Sequence, residues 1–151
     1  MAPLFIFDVD GTVADLSHRI HHIQTEGQKK DWGQFFAECG KDQPIKPVID
    51  TLLLLAGSGA EIKFFSGRSS STYAQTYYWI NHFIPMMQNI QLTMRKEDDF
   101  REDCIIKKEM YDSLTADERE RLTAVFDDRD QVVKMWRENG VKCYQVAYGD
   151  F

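Results

Sequence analysis

The chain has 151 residues, of which 43% are hydrophobic and 13% aromatic. That is the length of about one domain, with enough apolar mass for a core, which excludes a disordered chain. Eighteen Lys and Arg against 24 Asp and Glu leave a net charge of −6. An acidic chain lacks the broad basic face that wraps duplex nucleic acid, but a local pocket for a strand end or a nucleotide is compatible with it.

Three cysteines, Cys39, Cys104 and Cys143, are widely spaced and form no CxxC pair. Neither a disulfide framework nor a zinc site is expected, and a reducing compartment is. The chain runs from Met1 directly into a strand-like segment, with no basic region and long apolar stretch, so no signal peptide is expected. The longest apolar run, residues 52–56, is too short to cross a bilayer. The expectation is a cytoplasmic protein without a membrane partner.

Residues 3–7 (PLFIF) form a continuous apolar run, the pattern of a buried strand in a parallel sheet, and end on Asp8. The polar stretch that follows holds two short helix candidates, 17–25 and 32–39, punctuated by Gly27, Gly40 and the cluster 42–44. Pro47 opens a helix through Leu55, with Gly57 and Gly59 past its end. Residues 61–65 (EIKFF) make a second strand ending at Ser66-Gly67-Arg68, and a helix over 71–82 follows. Residues 90–94 are a third strand candidate and 103–111 a helix; Thr115 and Glu118 make a capping box for another. Residues 124–126 form a strand ending in Asp127-Asp128, 130–139 a helix closed by Gly140, and 141–147 the last strand. This alternation predicts an α/β fold: a mostly parallel central sheet with helices on both faces, one domain over 1–151, and a small helical insertion at about 16–46.

In open α/β sheets ligands bind at the carboxyl ends of the strands. Three strand ends carry unusual residues: Asp8-Val9-Asp10-Gly11-Thr12, Ser66-Gly67-Arg68 and Asp127-Asp128-Arg129. Clustered carboxylates repel one another and are costly to desolvate without a cation. A hard, oxygen-preferring ion such as Mg²⁺ is the natural partner. His18 and His22, four apart, invite a metal reading, but no third ligand accompanies them, and a surface helix is the simpler account. Trp32, Phe35 and Phe36 are most simply a helix's packing stripe, and less simply a base-stacking platform. Arg95 and Lys96 are read as an ordinary charged loop.

Asp8-Val9-Asp10-Gly11-Thr12 resembles the DxDGT signature of haloacid dehalogenase superfamily phosphatases. Ser66, Lys107 and Asp127-Asp128 match that family's later motifs in order. The segments 66–68, 103–107 and 126–151 resemble the 3′-phosphatase domains of bacteriophage polynucleotide kinase/phosphatases, and Arg19 falls where those domains carry a functional Arg. The resemblance covers about 4–19 and 47–151; it is weak over 20–46, where this chain is longer. No GxxxxGK[ST] phosphate loop occurs, so the kinase domain is not expected.

The resemblance implies a Rossmann-type phosphatase using Mg²⁺, in a phage or bacterial setting. Asp8 would be the nucleophile forming an aspartyl-phosphate, and Asp10 the acid and then the base. Mg²⁺ would be held by Asp8, Asp10 and Asp127 or Asp128. Lys107 would neutralise Asp8 and the phosphoryl group, and Asp103, one helical turn before, would orient it. Ser66 and the Gly67 amide would hold the phosphate. Arg68 and Arg19 are candidates for the substrate's remaining anionic groups, the latter with a solvated helix position as an equal alternative. Thr12 would cap the following segment or join the phosphate site. The substrate implied is a 3′-phosphate on a polynucleotide end or nucleotide, alternatively a free 5′-mononucleotide, with a separate kinase or ligase as a possible partner. A non-catalytic binding module is the other class, disfavoured because Asp8 and Asp10 are both present.

Overall fold

The structure is a computed structural model that describes residues 1–85 and 89–151. Five parallel strands form the central sheet in the order β5-β4-β1-β6-β7: β1 (Leu4–Phe7), β4 (Glu61–Ser69), β5 (Gln91–Arg95), β6 (Leu122–Asp127) and β7 (Cys143–Gln145). Strand side chains alternate faces, and β1 shows the consequence. Ile6 packs with Ile106, Val132 and Trp136 beneath α5 (Asp103–Asp112) and α7 (Asp130–Glu138). Phe7 packs with Leu52, Phe64 and Trp79 beneath α3 (Lys46–Gly57) and α4 (Tyr73–Phe83). Helices therefore cover both faces, as the strand-helix alternation predicts. A short α6 (Ala116–Arg121), closed by the Thr115–Glu118 capping box, leads into β6.

The insertion is smaller in helix and better anchored than its sequence suggests. Only His21–Gln24 (α1) is α-helical in the expected 17–25 stretch; turns before it aim Arg19 inward. Helix α2 (Trp32–Ala37) is capped by Asp31, which accepts from the Gln34 amide at 3.0 Å. A two-residue pairing not anticipated from sequence, β2 (Ala14–Asp15) against β3 (Gln43–Pro44), draws the ends of the insertion together. The strand expected to stop at 65 continues to Ser69, with a register shift between Ser66 and Ser69. The last strand is shorter than 141–147. Among the described residues no helix is long and apolar enough to cross a membrane.

Candidate active site

The neighbouring strands β1 and β6 end on the same edge of the sheet, and the acidic motifs fall there. Asp8 continues the β1 ladder, its amide donating to the Phe126 carbonyl at 2.9 Å. Asp127 ends β6, and oxygens of Asp8, Asp127 and Asp128 lie within 4.8 Å of one another. Lys107, on α5, is buried and donates to Asp8 Oδ1 and Asp127 Oδ2, each at 2.7 Å. Asp103, one turn earlier, is 3.7 Å from the same ammonium. The i,i+4 relation seen in sequence is therefore a real pair. Thr12 departs from expectation. It is fully buried and its hydroxyl donates to Asp8 Oδ2 at 3.0 Å, so it holds the carboxylate rather than capping a helix or facing a phosphate. Both Asp8 oxygens are thus fixed in direction.

Gly11 has φ +78°, which favours glycine, and a Cβ there would lie 2.1 Å from Asp128 Oδ2. The Asp128 carboxylate rests against that bare backbone. The same holds at Gly67, where a Cβ would lie 2.1 Å from Asp103 Oδ1. The glycines of both motifs are what let the acidic groups close on the chain. Ser66 is buried, its Oγ accepting from the Arg68 amide at 3.1 Å.

Arg19 and Arg68 are fully buried, and neither stands free in the cleft. Arg19 is no solvated helix residue. Its Nη2 donates to Asp10 Oδ1 at 2.7 Å, and its guanidinium lies 4.3 Å over the Phe35 ring. Arg68 donates to the same Oδ1 through Nε at 2.9 Å and Nη2 at 2.7 Å. All three donors converge on Oδ1. No described residue donates to Asp10 Oδ2. Behind Asp10 sits Asp42, which sequence reasoning passed over as a turn residue. Its buried carboxylate accepts from Arg19 Nε and Nη2 and from Arg68 Nη2, all at 2.7 Å. His18 Nε2 is 2.7 Å from Asp42 Oδ1, and His22 Nε2 is 3.2 Å from Glu38. The two histidines therefore serve different carboxylates and share no site.

Arg95 is also more than a loop charge. Its guanidinium donates to the carbonyl of Gly67 at 2.8 Å and to that of Asp99 at 3.1 Å, and lies 3.3 Å from Asp103 Oδ1. A cleft of about 360 Å³ opens above Asp8 and Asp10. The insertion supplies one wall through Ile20, Trp32 and Phe36, and the loop after β5 supplies another through Phe100 and Arg101.

Electrostatics divide the two aspartates of the first motif. Burial and then the Asp127 charge push the Asp8 carboxyl well above the usual range, against the pull of Lys107. Burial and Asp127 likewise push Asp128 up to about 7, and burial raises Asp127. Burial works to raise Asp10 too, but the Arg68 and Arg19 guanidiniums outweigh it and hold that carboxyl below its ordinary value. Lys107 stays charged: burial disfavours the ammonium, but Asp127 and Asp8 raise its pKa well above normal. Among the described residues, Asp8, Asp127 and Asp128 thus cluster beside one ammonium, Lys107, which Asp103 also approaches. Their donor set is all oxygen and carries excess negative charge, which fits a hard divalent cation.

Comparison with known proteins places this geometry. Residues 2–151 match the family described as the polynucleotide kinase PNKP phosphatase domain. A bifunctional polynucleotide kinase/RNA ligase of Autographa californica nuclear polyhedrosis virus is 30% identical over 132 residues, covering 87% of this chain and 17% of that protein. A chain of the Pnkp1/Rnl/Hen1 complex superposes with a TM-score of 0.80 at 29% identity, over 99% of this chain and 47% of the other. This chain thus spans only part of both relatives. The class C acid phosphatase from Bacillus anthracis shares the fold at a TM-score of 0.63 and 16% identity, over 99% of this chain and 66% of the other. The sheet, the ordered acidic motifs and the match across residues 2–151 together establish that the chain is a phosphatase of haloacid dehalogenase type and belongs to the polynucleotide kinase PNKP phosphatase domain family.

Proposed function

We propose that the protein is a Mg²⁺-dependent phosphomonoesterase that removes 3′-phosphates from polynucleotide ends or nucleotides through an aspartyl-phosphate on Asp8. The observation that carries the chemistry is the pairing at the end of β1: an aspartate fixed through both oxygens beside one anchored through Oδ1 alone. The family match over residues 2–151 supports the substrate.

Asp8 attacks phosphorus as the phosphorus–oxygen bond to the leaving group breaks. Asp10 donates a proton from Oδ2 to that oxygen. Arg19 and Arg68 position Asp10 through Oδ1, a role different from the substrate contact expected of them. They keep it ionised in the resting site, and an incoming phosphate dianion raises its pKa toward the acid form. A water then attacks the aspartyl-phosphate, losing its proton to Asp10 and releasing phosphate. Lys107 offsets the charge on Asp8 and the transferring group, with Asp103 orienting it. Ser66 and the Gly67 amide hold the phosphoryl oxygens, and Thr12 orients Asp8. Asp8, the Asp10 carbonyl and Asp127 or Asp128 would hold Mg²⁺, which offsets negative charge on the phosphoryl oxygens. The insertion at 16–46 caps the cleft. The bifunctional polynucleotide kinase/RNA ligase relative and the Pnkp1/Rnl/Hen1 complex support an association with kinase or ligase activity, on the same chain or on a separate partner.

The test is phosphate release, with Mg²⁺ and with EDTA, from a 3′-phosphorylated oligonucleotide, a 3′-mononucleotide and a 5′-mononucleotide. Preference for the 3′-phosphorylated oligonucleotide is expected. Preference for the 5′-mononucleotide overturns the end-processing reading in favour of a nucleotidase.

Metal binding has a pH signature. The folded-state pKa of Asp128, about 7, stands above its ordinary 3.8. The stability this contributes to the metal-free protein is complete below about pH 4 and is lost as pH rises through about 7. A cation replaces the lost protons. The rise in melting temperature produced by millimolar Mg²⁺ is therefore expected to grow from about pH 5.5 to about pH 8. A rise independent of pH would count against the carboxylate cluster as the site.

A further inference from the structure

The chemistry uses the floor of the cleft and leaves its mouth unexplained. Phe100 lines the mouth and is 86% exposed. It does not sit on a slack loop. Arg95 Nη1 donates to the carbonyls on either side of it, Asp99 at 3.1 Å and Arg101 at 2.5 Å. The Arg101 guanidinium closes the same turn onto the Asp99 carboxylate at 2.9 Å and ties it to Glu109 of α5 at 2.8 Å. Two arginines thus hold out to water a ring that packing would bury. The insertion wall also carries an aromatic. Trp32 is 42% exposed, braced edge-on by Phe35 at 5.7 Å and stacked on Phe36 at 5.9 Å. A cleft of about 360 Å³ lies at the small end of ligand sites. Its lining runs from Asp8 and Asp10 at the floor to Phe100 and Trp32 at the mouth.

We infer that Phe100 and Trp32 are two jaws of a nucleobase site, gripping the base of the nucleotide whose phosphate lies on Asp8. This rests on the reading above that the substrate is a nucleotide or strand end, and it adds how one is told from a plain sugar phosphate. Every base has a π face, so such a grip is tolerant of base identity. Stacking and apolar contact need no basic surface, which suits a chain of net charge −6.

The test measures binding on the Asp8→Asn protein, which does not depend on turnover. Its ligands are a 3′-phosphorylated oligonucleotide with a natural terminal base and the same strand ending in an abasic 3′-phosphate. In that background Phe100→Ala is expected to weaken the base-bearing ligand roughly 10-fold, within the range of one base–aromatic stack, and the abasic ligand less than about two-fold. Phe100→Trp is expected to restore the difference. In the active enzyme the loss falls on KM rather than kcat. Tyr78→Ala, which removes a 73% exposed ring on α4 outside the cleft, is the control and changes neither ligand. Phe100 is so exposed that its truncation does not threaten folding. Equal weakening of both ligands, or none, overturns the base site. Failure of the functional reading shows separately, as no phosphate release by the active enzyme from a 3′-phosphorylated strand.

Discussion

Asp8→Asn is expected to lower kcat by roughly 10⁴-fold or more, because the attacking carboxylate is gone, and at the same time to raise the melting temperature of the metal-free protein. The second half follows from the neighbours. At neutral pH the folded protein holds Asp8 buried beside Asp127 and Asp128, and these surroundings disfavour its ionised form. Asn has the same shape, carries no charge, and can still accept from Lys107 and meet the Thr12 hydroxyl. Relief of the burial penalty and of the Asp127 repulsion raises the melting temperature, at roughly 2–4 °C per kcal/mol for a chain this size. Thermal melts in EDTA at about pH 8, beside phosphate-release assays, check both halves. A fall in melting temperature would mean that the attraction of Lys107 outweighs the repulsion.

The largest stability effect is expected at Asp42. Asp42→Ala removes the carboxylate shared by Arg19, Arg68 and His18. Two fully buried guanidiniums are then left with Asp10 as their common carboxylate. Breaking a buried charge network from one side costs roughly 3–5 kcal/mol, or a melting temperature lower by about 10 °C. Activity falls as well, since the arginines that hold Asp10 then keep only the Phe35 carbonyl and the Thr76 hydroxyl as further hydrogen-bond anchors. Asp42→Asn keeps an acceptor in place and is expected to lose less of both. Circular-dichroism melts of the two variants, with kcat measured well below their melting temperatures, separate folding loss from mispositioning. Equal melts for Asp42→Ala and the unmodified protein would sink this account.

What was legible in the sequence follows from distance along the chain. The DxDGT run carries its spacing locally, so the end of β1 could be read directly, and the same is true of Asp127-Asp128 after β6. The i,i+4 pair of Asp103 and Lys107 needs only helical periodicity. Asp42 was missed because its partners Arg19 and Arg68 stand 23 and 26 residues away. No local pattern announces such a meeting. Its only cue was the short β2–β3 pairing that closes the insertion, and two-residue strands carry no readable periodicity. Thr12 was misjudged for a different reason. Its type suits a helix cap, and only the tertiary fold shows that its hydroxyl turns back to Asp8. Arg95 looked like an ordinary charge because its acceptors are mostly backbone carbonyls, which any residue supplies.

Arg95 also limits how this enzyme can change. One guanidinium grips the Gly67 carbonyl of the Ser66-Gly67-Arg68 motif and the carbonyls that frame Phe100. On the proposed reading, the rim that would meet the substrate and the floor that would meet the phosphate are therefore joined through one side chain. A substitution at Arg95 that reshapes the rim is expected to disturb the Gly67 backbone as well, so selectivity and turnover on that side would change together. The opposite wall, built by the insertion, is tied to the floor at its base, through Asp42 to Arg68 and through Arg19 to Asp10, whereas Trp32 at its mouth is held by aromatic neighbours of its own helix. Natural drift or directed evolution toward other phosphoesters has its freest path at Trp32, away from that anchored base.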